Sequence, residues 1–386
     1  MARDRDDSER LIAAVGDAIA ADAPLAICGR GSKAFLSGDS AGAMLAIGDH
    51  SGVIDYRHDE LVLTARSGTP LVELRRVLAA QRQMMAFDPP TFAGDGSLGG
   101  AVAAGFSGPG RPWYGALRDA ILGVTIVNGL GERLRFGGSV MKNVAGYDVS
   151  RLMAGAFGTL GVLLDISVKV LPLPQAESTR VFELDRDAAL ARVIGWARTP
   201  LPLSATCHAN GQLHVRLSGS DKGVRAAAAQ IGGEDLPYAT EFWESLRDQA
   251  HPFFAARPFG GAKASLDAPA PDARFPLDAR PWRLALPSAA AYPQIAGEWL
   301  TEWGGAQRWL ATDAPLAAVD AAARRLGGRA TAFGPVPDGL QPFVSQPFEE
   351  GALKYYRRLK HAFDPHAILN RGRLFAEIGR DERIPG

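Results

Sequence analysis

Two cysteines in 386 residues, Cys28 and Cys207, are too few for a disulfide framework or for the ligand set of an iron–sulfur cluster. No sign of charge is in excess. The 42 Lys and Arg balance 42 Asp and Glu, which leaves no electrostatic footprint for nucleic acid or an anionic membrane. Uninterrupted apolar runs of the ~18 residues that a spanning helix needs are missing too. The longest candidates, such as Leu152 to Leu164, are broken by glycines. The charged opening Met-Ala-Arg-Asp-Arg-Asp-Asp-Ser-Glu-Arg does not read as a signal peptide. The expected location is cytoplasmic, with membrane contact only through a partner.

What is abundant is glycine, 44 residues, and it is unevenly spread: 17 fall in the 71 residues from Thr91 to Gly161. A flexible linker would be polar, yet this stretch holds strong apolar runs, so its backbone is expected to loop closely around something. Ser8 is expected to cap a helix with Leu11, Ile12, Val15 and Ile19 on one face. Strands are expected at Pro24 to Cys28, Leu61 to Ala65, Gly123 to Asn128 and Val162 to Val170, and Pro70 opens a helix carrying Leu71, Leu74, Val77 and Leu78. Leu171-Pro-Leu-Pro174 marks a domain boundary. Beyond it, Asn210-Gly211 signals a hairpin, Pro258 to Pro281 an irregular loop, and Glu349 to Phe363 an amphipathic helix with Leu353, Tyr356, Leu359 and Phe363 inward.

Three glycine clusters compete for a nucleotide-type ligand. Gly29-Arg-Gly-Ser-Lys33 follows a strand, and Asp49 stands where the ribose acid of a Rossmann fingerprint belongs. The intervening Phe-Leu-Ser-Gly-Asp-Ser-Ala-Gly cannot sustain the required helix, so that reading fails on context. In Gly94-Asp-Gly-Ser-Leu-Gly-Gly100, Ser97 would cap a short helix whose bare first-turn N–H groups suit an anion. In Gly155-Ala-Phe-Gly-Thr-Leu-Gly161, small residues would let a flat ring approach the main chain. A ligand long enough to touch all three is an extended dinucleotide.

The order of Gly29-Arg-Gly-Ser-Lys33, Asp88-Pro-Pro90, Ser97-Leu-Gly-Gly100, Tyr114-Gly115, Arg118-Asp119, Leu122-Gly-Val124, Gly146-Tyr-Asp148, Gly158-Thr-Leu-Gly-Val162 and Asn370 resembles the vanillyl-alcohol-oxidase-type (PCMH) flavoproteins. Val140-Met-Lys-Asn-Val-Ala-Gly-Tyr-Asp-Val-Ser-Arg-Leu152 is similar to a signature of one branch, the FAD-binding subunits of bacterial glycolate oxidase. The resemblance implies an α+β fold: a PCMH-type FAD domain of two α+β subdomains at residues 1–174, an α+β cap at 175–340, and a C-terminal segment at 341–386 returning to the FAD domain. It implies cofactor contacts at Gly29, Arg30, Gly31, Ser32, Lys33, Pro89, Gly94, Ser97, Leu98, Gly99, Gly100, Ala104, Gly108, Tyr114, Gly115, Arg118 and Asp119. The same list continues with Tyr147, Asp148, Gly155, Gly158, Thr159, Gly161, Val162 and Asn370. FAD would be bound non-covalently, since the first loop lacks the histidine used for covalent attachment. The chain would act on glycolate, a small 2-hydroxy acid, beside a second flavoprotein subunit bearing the catalytic site and an iron–sulfur subunit that passes electrons to quinone. The alternatives are a self-contained flavin oxidoreductase for another 2-hydroxy acid or alcohol, and a non-catalytic flavin-binding assembly subunit. The Gly-Asp-Gly-Asn-x-His metal motif of related dehydrogenases is absent; Phe157 and Gly105 replace a usual acid and a usual Asn. No catalytic residue is assigned.

Other residues have competing readings. In a two-residue Asn210-Gly211 turn, His208 and His214 point to opposite faces and cannot chelate one ion, and no metal site is expected. Cys28 reads as a buried filler. Tyr147 and Asp148 serve either the flavin or the local backbone. Arg111 and Arg118 either orient a carboxylate or, for Arg118 with Asp119, form an ion pair. Trp299, Trp303 and Trp309 belong either to the core or to a subunit contact.

Overall fold

The computed structural model describes residues 4–33, 36, 42–92, 96–138, 148–255, 281–333 and 350–374. Helix α1, Ser8–Ala20, buries Leu11, Val15 and Ala18 at helical spacing. Its cap lies one residue earlier than expected. Asp7 is the N-cap residue, and Ser8 is inside the helix with its N–H donated to Asp6 Oδ1 at 3.0 Å. Strands β1, Leu25–Cys28, and β2, Ala43–Ala46, pair in parallel. The chain returns to their edge near its C-terminus: Leu25 bridges Leu369, and its N–H donates to Ile368 O at 2.7 Å.

An antiparallel sheet follows, made of β3 (Val53–Arg57), β4 (Val62–Arg66), β5 (Ile121–Val127), β6 (Arg133–Gly137) and β7 (Val162–Lys169), in the order β3-β4-β7-β5-β6. The nearly continuous apolar sequence of β5 suits its position, since every one of its residues is buried. The β5–β6 turn is held by Asn128, whose Oδ1 accepts from the N–H of Leu130 and Glu132 at 3.0 and 2.9 Å. Helices α2 (Leu71–Ala79) and α3 (Leu98–Ala104) cover the sheet. Leu71, Leu74 and Leu78 of α2 are fully buried, and each contributes roughly 1.5–3 kcal/mol by leaving water.

The second sheet has eight antiparallel strands: β8 (Ala176–Glu183), β9 (Leu203–Ala209), β10 (Gln212–Gly219), β11 (Glu234–Asp235), β12 (Pro281–Ala285), β13 (Glu298–Glu302), β14 (Gln307–Ala311) and β15 (Arg329–Ala332). Their order is β11-β8-β10-β9-β13-β14-β12-β15. The β9–β10 hairpin has the expected register, with Ala209 opposite Gln212, His208 opposite Leu213 and Cys207 opposite His214. Asn210 and Gly211 take the positive φ values of 51° and 75° that such a turn demands. Helices α4 (Arg186–Trp196) and α5 (Asp221–Ile231) pack on one part of this sheet, and α7 (Leu316–Arg325) on another. Helix α6 (Ala239–Arg247) belongs to an aromatic cluster that also holds Ala104, Phe106 and Phe157 of the first half. Most of the expected loop from Pro258 to Pro281 lies outside the described residues; Pro281 itself begins β12.

Helix α8, Glu350–Phe363, departs from its expected pattern. Tyr356 is 38% exposed, and the residue buried on this helix is Lys360 at 7%. The reason is local: Tyr356 and Leu359 face a cavity rather than a packed core.

Candidate functional site

Two cavities of about 660 and 440 Å³ meet at Ala104, Phe157 and Asn370, each a typical volume for a small-molecule site. The smaller is walled by the Gly29–Lys33 loop, with Ser97, Gly99 and Gly100 opposite and Gly158 and Gly161 beside them. The larger takes Arg118, Asp148, Gly155 and Thr159 from the first half, Arg283 from β12, and Lys360 from α8.

The first loop is rich in unused donors. Among the described residues, the backbone N–H groups of Gly29, Gly31, Ser32 and Lys33 donate to no protein acceptor. Lys33 Nζ is 3.3 Å from Ser32 Oγ and 5.3 Å from the Phe92 ring centroid. Burial pushes its ammonium down to about 8, against the opposing pull of Asp248. Four unpaired amides and a desolvated cation fit a pyrophosphate, whose oxygens would supply the missing acceptors. Space agrees with charge, because a Cβ on Gly29 or on Gly100 would come within 3.1 Å of Ser97 Oγ.

The start of α3 differs from expectation. Its first-turn amides are not bare: Leu98 N–H donates to Thr69 O at 3.0 Å, Gly99 N–H to Ser67 O at 2.7 Å, and Gly100 N–H to the capping Ser97 Oγ at 3.2 Å. The β4–α2 connection runs alongside and takes these donors. The anion-ready backbone is thus the Gly29–Lys33 loop.

Asn370 joins the two cavities. Its Oδ1 accepts from Ile27 N–H at 2.6 Å, and its Nδ2 donates to Phe157 O at 2.6 Å. Gly158, with φ of 72°, leaves room for that amide, since a Cβ there would lie 2.8 Å from Nδ2. Lys360 and Asp364 complete the clamp. Lys360 Nζ donates to Thr159 O and Leu369 O, both at 2.8 Å, and to Asp364 Oδ2 at 2.5 Å. Asp364 also accepts from the N–H groups of Ile368 and Leu369. Burial lowers the Lys360 pKa while Asp364 opposes it.

The cavities bring together Gly29, Arg30, Gly31, Ser32, Lys33, Ser97, Gly99, Gly100, Ala104, Arg118, Asp148, Gly155, Gly158, Thr159, Gly161 and Asn370. Leu98 and Val162 are fully buried in the core behind them, as next neighbours on a helix or strand must point elsewhere. Pro89, Gly108, Tyr114, Gly115 and Asp119 line neither cavity. Pro89 O accepts from Arg75, Gly108 backs onto Asp88, and Asp119 Oδ2 accepts from Ala116 N–H. Gly94 and Tyr147 lie outside the described residues. Asp148 lines the larger cavity and also accepts from Arg151 N–H at 3.2 Å. Arg111 lies 4.7 Å from the Trp303 ring, and no ion pair joins Arg118 to Asp119 among the described residues. Cys28 is not a buried filler: it is half-buried and lines the smaller cavity, because β1 ends at its rim. Trp299, Trp303 and Trp309 are buried, and Trp303 Nε1 donates to Gly108 O at 3.0 Å. Sequence reasoning missed Arg283, Lys360 and Arg373. The only local signal was for Lys360, four residues before the Asp364-Pro365 helix stop.

Residues 6–137 match the family model described as "FAD binding domain". The glycolate oxidase subunit GlcE of Escherichia coli (strain K12) is 40% identical over 378 residues, covering 98% of this chain and all of that protein. Glycolate oxidase subunit GlcD of Bacillus subtilis (strain 168) is 26% identical over 50% of this chain and 40% of its own length. Among solved structures, alkyldihydroxyacetonephosphate synthase shares the fold, with a TM-score of 0.63 at 15% identity over 94% of this chain and 75% of that one. Among the described residues no helix is long and apolar enough to cross a membrane. With an FAD-binding domain at its N-terminal end and a full-length match to GlcE, the chain belongs to the GlcE family of glycolate oxidase subunits.

Proposed function

We propose that this chain is the FAD-binding subunit of a multi-subunit glycolate oxidase, in which glycolate gives up two electrons and two protons to become glyoxylate. Its FAD domain would be residues 1–174, its cap 175–340, and its returning segment 341–386. A second flavoprotein subunit and an iron–sulfur subunit would complete the complex, with electrons leaving toward quinone and any contact with the membrane made through those partners. The observation that carries the reading is the Gly29–Lys33 loop, four unpaired amides beside a desolvated ammonium at the mouth of a cavity that continues to the eight-stranded sheet.

When bound, FAD supplies the two-electron acceptor for the hydride on the substrate's α-carbon. The chain's own part is binding and orientation. Gly29, Gly31, Ser32 and Lys33 would hold the pyrophosphate, and Gly155, Gly158 and Gly161 would keep the main chain bare against a flat ring. Asn370 and Lys360 position this second loop by gripping the carbonyls of Phe157 and Thr159. The Gly29–Lys33 loop lacks the histidine that covalent attachment in flavoproteins of this type uses, and the cofactor would be held non-covalently. The test is purification of the chain alone and within its complex. A yellow chain that releases FAD on acid precipitation, and a complex whose flavin bleaches with glycolate, are expected. A folded, colourless chain that refuses added FAD would overturn the reading.

A further inference from the structure

Arg283 stands on β12, in the eight-stranded sheet, and is part of the wall of the larger cavity, which it shares with the glycine-rich loop at Gly155. Among the described residues, one of its side-chain nitrogens is engaged. Nε donates to Gln307 Oε1 at 2.8 Å, and among the described residues neither terminal nitrogen has an acceptor. The side chain is held from behind by a buried relay. Gln307 Nε2 donates to Glu302 Oε1 at 3.2 Å, which also accepts from Trp309 Nε1 at 2.7 Å. The guanidinium is boxed by the rings of Phe106 and Trp303, at 5.7 and 5.4 Å from their centroids.

Charge in this region is out of balance. Arg118 shares the cavity wall, and Arg111 stacks on the same Trp303 ring. The buried carboxylate behind it, Glu302, already has two donors, and Asp148 on the cavity wall is paired with Arg151 at 3.2 Å. Burial pushes Arg283 down to about 10, with Glu302 opposing and Arg111 adding to the effect. A pre-oriented planar fork, aromatic on its flanks and open toward a cavity, matches one ligand chemistry best, a carboxylate accepting two parallel N–H bonds.

We propose that the larger cavity is itself a carboxylate site, with Arg283 as the anchor for a small 2-hydroxy- or 2-oxo-monocarboxylate. The assignment rests on the flavoprotein reading above and goes beyond it, because it gives this chain a substrate or product site of its own rather than leaving that site to the second flavoprotein. Gln307 and Glu302 are positioning residues in this arrangement. They set the direction of the fork without touching the ligand.

The test uses the full chain loaded with FAD and titrated with glyoxylate, which is already oxidised and leaves the flavin oxidised. Neutral glycolamide is the control, and the readout is the flavin absorption difference spectrum. Wild type is expected to give a saturable change with glyoxylate and none with glycolamide. Arg283→Met should bind FAD normally and weaken glyoxylate at least tenfold, with Arg283→Lys in between. Should Arg283→Met fail to fold, Arg283→Gln, which keeps a donor toward Gln307, is read by the same criterion. Equal glyoxylate affinity in wild type and variant overturns the proposal, as does a yellow wild type with no saturable response. Neither result touches the flavin reading, which fails only if wild type takes up no FAD.

Discussion

Gly99 and Gly100 are adjacent, yet they are glycines for different reasons. A Cβ on Gly99 would lie 2.6 Å from Ser67 Cβ and 2.9 Å from Ser67 O, a collision with backbone that has no soft partner. A Cβ on Gly100 meets only Ser97 Oγ at 3.1 Å and Lys33 Nζ at 3.8 Å, both at ends of side chains that can yield. Gly100→Leu is therefore the informative change. The ligand-free chain should melt within about 2 °C of wild type, since better helix propensity offsets a small clash. Its FAD affinity should drop at least tenfold in a flavin-fluorescence titration, and unchanged affinity would remove Gly100 from the cradle. Lys33 makes a second prediction, with a sign fixed by its lowered pKa. In the ligand-free fold its ammonium is disfavoured up to about pH 8, and that cost fades as the group deprotonates between about 8 and its ordinary 10.5. A pyrophosphate would restore the charged form, so FAD affinity should be flat below pH 8 and weaken above it, by up to about tenfold per pH unit. Lys33→Met should bind more weakly and lose that slope.

The segment following α8 is braced internally by one carboxylate, while Asn370 and the backbone bonds of Leu25 tie it to the first half of the molecule. Asp364 accepts from Lys360 and from two backbone N–H groups, and Gly129 leaves room for it, since a Cβ there would lie 2.2 Å from its Oδ1. Asp364→Ala would leave the Lys360 ammonium buried and two amides without acceptors, at a cost of about 3–5 kcal/mol in urea unfolding. Lys360→Met should also be costly, since it strands the fully buried Asp364 carboxylate, which would keep only its two backbone N–H donors. Loss of FAD should accompany both, because Lys360 fixes Thr159 in the cavity wall. A wild-type-like unfolding midpoint for Asp364→Ala would show that the Asn370 and Leu25 bonds hold the tail without the carboxylate. This clamp also marks the limit of what the sequence reveals. The hairpin register at Asn210-Gly211, the strands β5 and β7 and the helix after Pro70 were legible because each depends on near neighbours in the chain. Arg283 was not, because its meaning comes from Gln307, Glu302 and Trp303, which only the pairing of β12 with β14 and the packing of the sheets bring beside it. The first turn of α3 was misread for the same reason: the acceptors for Leu98 and Gly99 are the carbonyls of Thr69 and Ser67, about thirty residues earlier.

The walls of the two cavities come from both halves of the molecule, and two different conditions act on it. A ligand that binds only the folded chain adds about 2.7 kcal/mol at one hundred times its Kd, and here it would touch walls drawn from both halves and from α8. Acid acts elsewhere. His214 and His251 flank the Phe242 ring, which stacks on His214 at 4.1 Å and meets His251 edge-on at 5.7 Å, and burial lowers both histidines to about 4. With folded values below the ordinary 6.5, the native chain binds fewer protons than the unfolded one. Stability is therefore complete above pH 6.5 and falls as pH drops toward 4, by roughly 2 kcal/mol per histidine at pH 5. Neither histidine lines either cavity, and Lys33 titrates only above this range. The two effects should add without coupling. Urea unfolding at pH 7 and pH 5, with and without saturating FAD, should show the same acid loss in both forms and the same FAD increment at both pH values. An FAD increment that shrinks at pH 5 would mean that protonation of the Phe242 cluster reaches the cavity walls, through Ala104 and Phe157 of the aromatic cluster to which Phe242 belongs.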